Sequence, residues 1–145
     1  QAATMGDRSW RSVLDTHRMM VRRQLQRFRG REIETSGDGF LAIFDGPARA
    51  IRCAQEIVLS GRPLGVSVRA GLHTGEVELL GSEVRGIAVH MASRISQIAG
   101  ADEVLASSTV KDLVAGAGLA FANLGPMSFK GFDEPVHVFR ATSQD

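Results

Sequence analysis

The sequence is poor in tyrosine, tryptophan and cysteine: among 145 residues it has no Tyr, one Trp and one Cys. Without a strand of stacking aromatic residues, an RNA-binding sheet domain is a poor fit. The single Cys53 excludes an internal disulfide bond and fits a reducing cytoplasm, where we expect the protein to reside. No run of about 18 apolar residues is present, which argues against a membrane-spanning helix, and Gln1–Trp10 lacks the apolar segment of a secretory signal.

An excess of charge of either sign is also missing, because the formal net charge is only +1 at pH 7. This balance carries no strong signature of nucleic-acid or membrane binding, and we expect neither partner. The basic residues are nevertheless uneven, since eight of the 17 lie between Arg8 and Arg31. We interpret this stretch as a solvated helix face, with contact to a phosphate backbone or a partner domain as the alternative.

A hydrophobic content of 43% over 145 residues is enough for one globular domain with a real core. Apolar residues recurring at three- and four-residue steps predict helices at Arg8–Phe28, from Pro47 onward, at Ile87–Ile98 and at Ser108–Ala115. Alternating or continuous apolar runs predict strands at Glu32–Ser36, Phe40–Phe44, Val66–His73, Glu76–Leu80, Glu103–Ala106, Leu119–Asn123 and Val136–Ala141, with Gly81–Arg85 as a loop. This order indicates an α+β fold, with helices on one face of a mainly antiparallel sheet.

The stretch Glu32–Phe44 reads as two short strands joined by a tight Gly37-Asp38-Gly39 turn. Glycines on both sides let the backbone approach a ligand closely and aim one carboxylate outward. Asp38 is therefore a candidate metal ligand. The alternative is an ordinary hairpin, because Asp-Gly is also common turn chemistry.

Two further features carry potential chemistry. His90 and Arg94 are four residues apart on a predicted helix and therefore share one face. The opposite, buried face is predicted to contain Ala88, Met91, Ala92, Ile95 and Ile98. Lys130 lies in a Phe-Lys-Gly loop, which on its own is unremarkable as a phosphate-binding signal.

Taken together, three stretches resemble the class III nucleotidyl cyclases, most closely the short cyclase domains of actinobacterial multidomain regulators. They are Glu34–Phe40 (ETSGDGF), Gly86–Arg94 (GIAVHMASR) and Phe129–Gly131 (FKG). The resemblance covers nearly the whole chain and implies a ferredoxin-like βαββαβ core. It also implies that a ribose 3′-hydroxyl attacks the α-phosphorus of ATP or GTP, and that a homodimer shares its active sites between protomers.

The resemblance implies that two carboxylates hold two hard divalent cations, Mg²⁺ or Mn²⁺. Asp38 matches the second carboxylate. The strand that carries the first one in the family precedes the first helix and has no match in this sequence. We therefore expect residues 1–145 to be a single cyclase homology domain cropped at its N terminus, with a partner strand filling the gap as the alternative.

The other site residues also follow from the resemblance. Arg94 matches an arginine that stabilises charge developing on the α-phosphate, with a surface arginine as the alternative. Lys130 matches a lysine that grips the terminal phosphates. His90 stands where the family usually has an asparagine that orients the ribose, and an ordinary exposed histidine is the alternative; in the first case activity should be weaker and depend on pH.

Glu34 and Glu83 occupy the two base-selecting positions. Glutamate at position 34 is the guanylate-cyclase pattern, because a carboxylate accepts from guanine N1–H and N2–H₂. Glu83 is not the cysteine that usually accompanies it, and it can accept from the adenine amino group. The wide occurrence of bacterial adenylate cyclases favours ATP, with GTP as the alternative. A second hypothesis, favoured by Glu34 and His90, is a cyclase-like module without turnover that dimerises or senses nucleotides.

Overall fold

The computed structural model of the protein describes residues 6–36, 39–81 and 83–142. The described residues form four α-helices: α1 (Asp7–Arg27), α2 (Pro47–Gly61), α3 (Ile87–Ile98) and α4 (Ser108–Leu113). The strands are β1 (Arg31–Ser36), β2 (Gly39–Ile43), β3 (Ala70–Leu72), β4 (Glu78–Leu80), β5 (Glu83–Arg85), β6 (Val104–Ser107), β7 (Ala120–Met127) and β8 (Val136–Thr142). Within these described ranges, no helix is both long and apolar enough to cross a membrane.

The strands form three sheets among the described residues. The central sheet has the order β3-β6-β8-β7, with β3 parallel to β6 and the remaining pairs antiparallel. The hairpins β1–β2 and β4–β5 are separate antiparallel pairs. The prediction of an α+β fold with mainly antiparallel pairing is confirmed. From α1 to β3 the element order is α-β-β-α-β, which matches the expected βαββαβ order from its first helix to its last strand. The expected first strand would precede α1, and its position lies outside the described residues.

Helices pack on both faces of the central sheet, whereas the sequence predicted one face. Leu105 and Ala106 are consecutive in β6 and therefore point to opposite faces. Leu105 joins the core formed with Met91 and Ile95 of α3. Ala106 joins a second core with Ile51 of α2, and α4 contributes to that same core.

A third core fastens α1 to α2. Val21 and Leu25 of α1 pack with Cys53 of α2, and partly buried residues of β2 such as Phe40 and Ala42 lie against them. Cys53 is only 1% exposed, so its predicted role as a small buried apolar residue is confirmed. His17 also faces this side of α1 and is buried.

The predicted strand Val66–His73 is too long, because only Ala70–Leu72 joins the sheet. The residues before it bond to a loop instead. The Val68 N–H donates to Asp102 Oδ1 at 3.1 Å, and the Asp102 N–H donates to the Val68 carbonyl at 2.7 Å. The backbone of this loop turns at Asp102, which has the left-handed conformation with a φ of 62°. The alternating valines predicted a longer strand. The pattern did not reveal Asp102, which binds the Val68 N–H from 34 residues further along the sequence.

Two other boundaries differ from the predictions. Glu83–Arg85, predicted as part of a loop, forms β5 and pairs with β4. Strand β7 runs to Met127, beyond the predicted end at Asn123, and passes Pro126. Proline is tolerated there because β7 is the edge strand of the sheet. A register shift between Asn123 and Gly125 accommodates the irregular sequence.

Candidate active site

Helix α3 carries the first group of candidate residues. Ala88, Met91 and Ile95 are buried, and His90 is exposed on another face, as the helical spacing predicted. Ile98 does not follow the prediction, because it is 44% exposed at the end of the helix. The helix begins after Gly86, which has a φ of 145° and leaves no room for a Cβ, since one would lie 2.9 Å from the Glu76 carbonyl oxygen. The β4–β5 hairpin and the start of α3 are therefore fixed against each other.

A buried aromatic ring places Lys130 beside this helix. Phe129 is 7% exposed and belongs to the same core as Met91 and Ile95 of α3. The Phe132 N–H donates to the Phe129 carbonyl oxygen at 3.1 Å, which closes a turn around the exposed Lys130. The lysine is therefore held near α3 by its buried neighbour.

His90, Arg94 and Lys130 line one cleft of about 260 Å³, together with Ile87, Gly131 and Phe132. The sequence predicted these three residues for one site with Glu34 and Glu83; the structure brings the three to this cleft and the two glutamates to another cavity. Arg94 Nη1 also donates to Gln97 Oε1 at 3.4 Å, a long hydrogen bond that leaves most of its donors available. A guanidinium and an ammonium at one cleft suit an anionic, phosphate-bearing ligand.

The two candidate base-selecting glutamates line a second cavity of about 430 Å³. Glu34 comes from β1 and Glu83 from β5, and Arg85 completes the polar lining beside Ile33, Leu41 and Val84. Its volume falls in the range of small-molecule sites. A β-bulge lies beside this cavity, since the β1–β2 register shifts between Glu32 and Glu34.

Sequence reasoning missed Arg85. Its Nη2 donates to Glu83 Oε2 at 2.8 Å, and its Nε donates to the same oxygen at 3.2 Å. Residues two apart on a strand point to the same side, so this pair follows directly once β5 is known. The signal was hidden because Gly81–Arg85 was predicted as a loop. Phe132 was missed as well, although it lies two residues beyond Lys130.

Asp38, the candidate metal ligand, lies outside the described residues. The described residues that flank it in the sequence pair with each other, with Ser36 opposite Gly39 in the β1–β2 register. Among the residues that the structure describes, no group of three or more His, Cys, Asp or Glu side chains is arranged to hold a metal ion. The assignment of a metal to Asp38 therefore rests on the chemistry of its carboxylate and on the resemblance.

Comparison with known proteins gives the family. The family model of the adenylate and guanylate cyclase catalytic domain matches residues 6–141 of the sequence. An uncharacterized protein of Mycobacterium tuberculosis is 33% identical over 112 residues, which cover 76% of this chain and 29% of that protein. A putative adenylate cyclase of Rhizobium meliloti is 27% identical over 125 residues, covering 80% and 21% respectively. The chain thus spans less than a third of the length of these two relatives.

The fold is shared with solved cyclases. The structure of an adenylate cyclase from Trypanosoma brucei in its monomeric state matches with a TM-score of 0.84. Its sequence is 21% identical, and the match covers 97% of this chain and 81% of that one. The segment that the family model matches, residues 6–141, includes both cavities and all described candidate residues. The chain therefore belongs to the class III adenylate and guanylate cyclase catalytic domains.

Proposed function

We propose that this domain converts ATP or GTP to the 3′,5′-cyclic nucleotide and pyrophosphate. The observation that carries the proposal is the separation of charge between the two cavities. The basic residues Arg94 and Lys130 line one of them, and the other has two carboxylates, Glu34 and Glu83, against one guanidinium, that of Arg85. A nucleoside triphosphate has the matching polarity, with anionic phosphates at one end and hydrogen-bond donors on its base at the other.

In the proposed reaction the ribose 3′-oxygen forms a bond to the α-phosphorus, and the bond from that phosphorus to the pyrophosphate oxygen breaks. The 3′-hydroxyl releases its proton to the solvent, and pyrophosphate leaves with the bond's electron pair. Arg94 donates hydrogen bonds to the α-phosphate oxygens, where negative charge develops. Lys130 holds the terminal phosphates as a point charge and so orients the leaving group.

His90 shares the cleft with Arg94 and is proposed to orient the ribose. A neutral imidazole offers one donor and one acceptor, whereas an imidazolium offers two donors. The orientation of the ribose therefore depends on the protonation of His90. An asparagine would offer both a donor and an acceptor at every pH, so we expect activity here to be weaker than in asparagine-bearing relatives.

Class III cyclases use divalent metal ions, and Asp38 is the proposed ligand in this chain. Its carboxylate is a hard oxygen ligand, which suits Mg²⁺ or Mn²⁺. A bound ion would neutralise triphosphate charge and favour loss of the 3′-hydroxyl proton. One carboxylate rarely suffices for Mg²⁺, so a second one from the natural polypeptide is part of the proposal.

Cyclase domains typically work as dimers, and we propose a homodimer with two shared sites. Asp38 of one protomer would then face Glu34, Glu83, His90, Arg94 and Lys130 of the other. The support for this division is the family resemblance, together with the grouping of the five residues at two cavities of the chain. No step of the proposal requires nucleic acid or a membrane.

A second candidate is a cyclase-like regulator that binds nucleotide without turning it over. The ion pair between Glu83 and Arg85 favours it, because it occupies a carboxylate that would otherwise contact the base. His90 favours it too, because it replaces the asparagine that orients the ribose in most of the family. The two candidates differ in turnover and not in binding.

The test is an assay of cyclic nucleotide and pyrophosphate, with the natural full-length polypeptide, Mn²⁺ and either ATP or GTP. We expect equal amounts of both products, and a loss of about 10²- to 10³-fold in kcat for Arg94→Ala. Arg11→Ala is the matched control, since Arg11 is an exposed arginine on α1. Binding without products would support the regulator, and equal effects of the two substitutions would contradict the role of Arg94.

A further inference from the structure

Strand β5 presents an acid and a base on the same side. Glu83 and Arg85 are two residues apart, and two hydrogen bonds of 2.8 and 3.2 Å join them. Their side chains remain 62% and 67% exposed, so the pair lies at the surface of the cavity and is accessible to a ligand. Glu34 lines the same cavity from β1.

The two carboxylates that line this cavity therefore differ in their ion-pair partners. Glu83 is already satisfied in part by Arg85, whereas Glu34 has no ion-pair partner among the described residues. The Arg85 guanidinium carries five N–H donors and spends two nitrogens on one Glu83 oxygen. A free carboxylate and a partly free guanidinium thus line one cavity of about 430 Å³.

We infer that Arg85 is a base-contacting residue that, with Glu34, selects guanine over adenine. This inference rests on the proposed function and specifies its substrate. Glu34 accepts from guanine N1–H and N2–H₂, and Arg85 donates to guanine O6 and N7, the pairing that arginine makes with guanine in DNA recognition. Glu83 holds the guanidinium in place and acts through it.

Adenine fits the same groups less well. Its Watson–Crick edge offers the N6 amino group as a donor and N1 as an acceptor, so a carboxylate gains one hydrogen bond there and not two. Arg85 can donate to N7 but meets a second donor at N6, where guanine has an acceptor. The cavity lining thus makes four hydrogen bonds with guanine and two with adenine.

The test compares dissociation constants of GTP and ATP for the natural full-length polypeptide, with cyclic-nucleotide formation followed in parallel. We expect Arg85→Ala to weaken GTP binding about tenfold or more and ATP binding much less, since a lost bidentate base contact has about that effect. Arg85→Lys keeps the charge but loses the fork, so GTP binding should lie between wild type and Arg85→Ala. Arg62→Ala is the control: Arg62 is 59% exposed, pairs with Asp102 at 3.6 Å and lies outside the cavity.

A double variant separates base contact from neutralisation of Glu83. If Arg85 only neutralises Glu83, the Glu83→Ala/Arg85→Ala variant regains the wild-type GTP-to-ATP ratio, and the inference is wrong. If Arg85 contacts the base, the double variant keeps the ratio of Arg85→Ala. A ratio unchanged in every variant overturns the inference alone. Binding with the expected ratios but no product overturns the proposed turnover alone, and failure to bind either nucleotide overturns both.

Discussion

Gly71 of β3 lies directly against the backbone of Ser96 in α3. A Cβ at position 71 would lie 2.6 Å from the Ala92 carbonyl oxygen and closer still to the Ser96 nitrogen. Real Cβ atoms essentially never approach that closely, so only glycine allows the helix to pack at this distance. The same helix carries His90 and Arg94 at the candidate site. Backbone packing of β3 on α3 therefore sets the position of the reactive side chains.

Gly71→Ala should destabilise the domain by about 1–3 kcal/mol, because overpacking forces the helix backbone to move. Chemical denaturation followed by circular dichroism would measure the change in free energy of unfolding. Gly46→Ser is the control, since a Cβ there would lie 4.0 Å from the Arg49 Cβ and a serine can cap α2. Equal stability of Gly71→Ala and wild type would show that α3 does not depend on this contact.

His73 should make stability depend on pH. Its Nδ1 lies 2.7 Å from the Ser107 hydroxyl oxygen, and the Val110 N–H at the start of α4 donates to that oxygen. Burial lowers the pKa of His73 below its usual value of about 6.5. The unfolded chain then binds the proton more readily, so the contribution of His73 is complete above pH 6.5 or so and is lost as the pH falls toward the folded-state pKa.

His73→Asn keeps a polar atom near Ser107 but removes the titration. Between about pH 7 and 5, the free energy of unfolding should fall less steeply for this variant than for wild type. Parallel curves for wild type and His73→Asn would contradict the assignment.

The Cys53 thiol should be nearly inert in the folded protein. Burial raises its pKa to about 11, and the side chain is 1% exposed. Little thiolate is present at neutral pH, and a reagent has no path to it. A chromogenic disulfide reagent should react slowly under native conditions and at once in denaturant. Equal rates in the two conditions would show that α1 does not cover α2 as described.

The sequence predicted those parts of the site that depend on local periodicity. The shared face of His90 and Arg94 follows from a four-residue spacing within one helix, and the structure agrees. Arg85 was missed because its role depends on β5, a three-residue strand that forms through pairing with β4. The early part of the predicted Val66–His73 strand failed for a related reason, since Asp102 binds Val68 from a distant loop. The βαββαβ topology came from the family resemblance, because alternation alone does not specify which strands pair.

Metal binding is expected to be weak in residues 1–145 alone. Asp38 supplies one carboxylate, and Mg²⁺ or Mn²⁺ usually needs more. Calorimetric titration with Mn²⁺ should show no tight site, and Asp38→Ala should weaken whatever binding is present. Glu78→Ala is a suitable control, because it removes an exposed carboxylate from β4. Tight binding that survives Asp38→Ala would place the metal elsewhere.

A site that two protomers share can be tested by mixing two variants that are each inactive. In the natural full-length polypeptide, Asp38→Ala and Arg94→Ala should each abolish nearly all activity, the first through metal binding and the second through charge stabilisation. In a heterodimer of the two variants, one site carries both substitutions and the other carries neither.

Cyclic-nucleotide formation should therefore return on mixing, with about half the activity of a wild-type dimer in each heterodimer, since one of two sites is intact. Subunit exchange is confirmed separately, with two different affinity tags on the variants. We expect restored activity in the doubly tagged fraction. Absence of activity in that fraction would contradict a shared site and would favour the regulatory alternative.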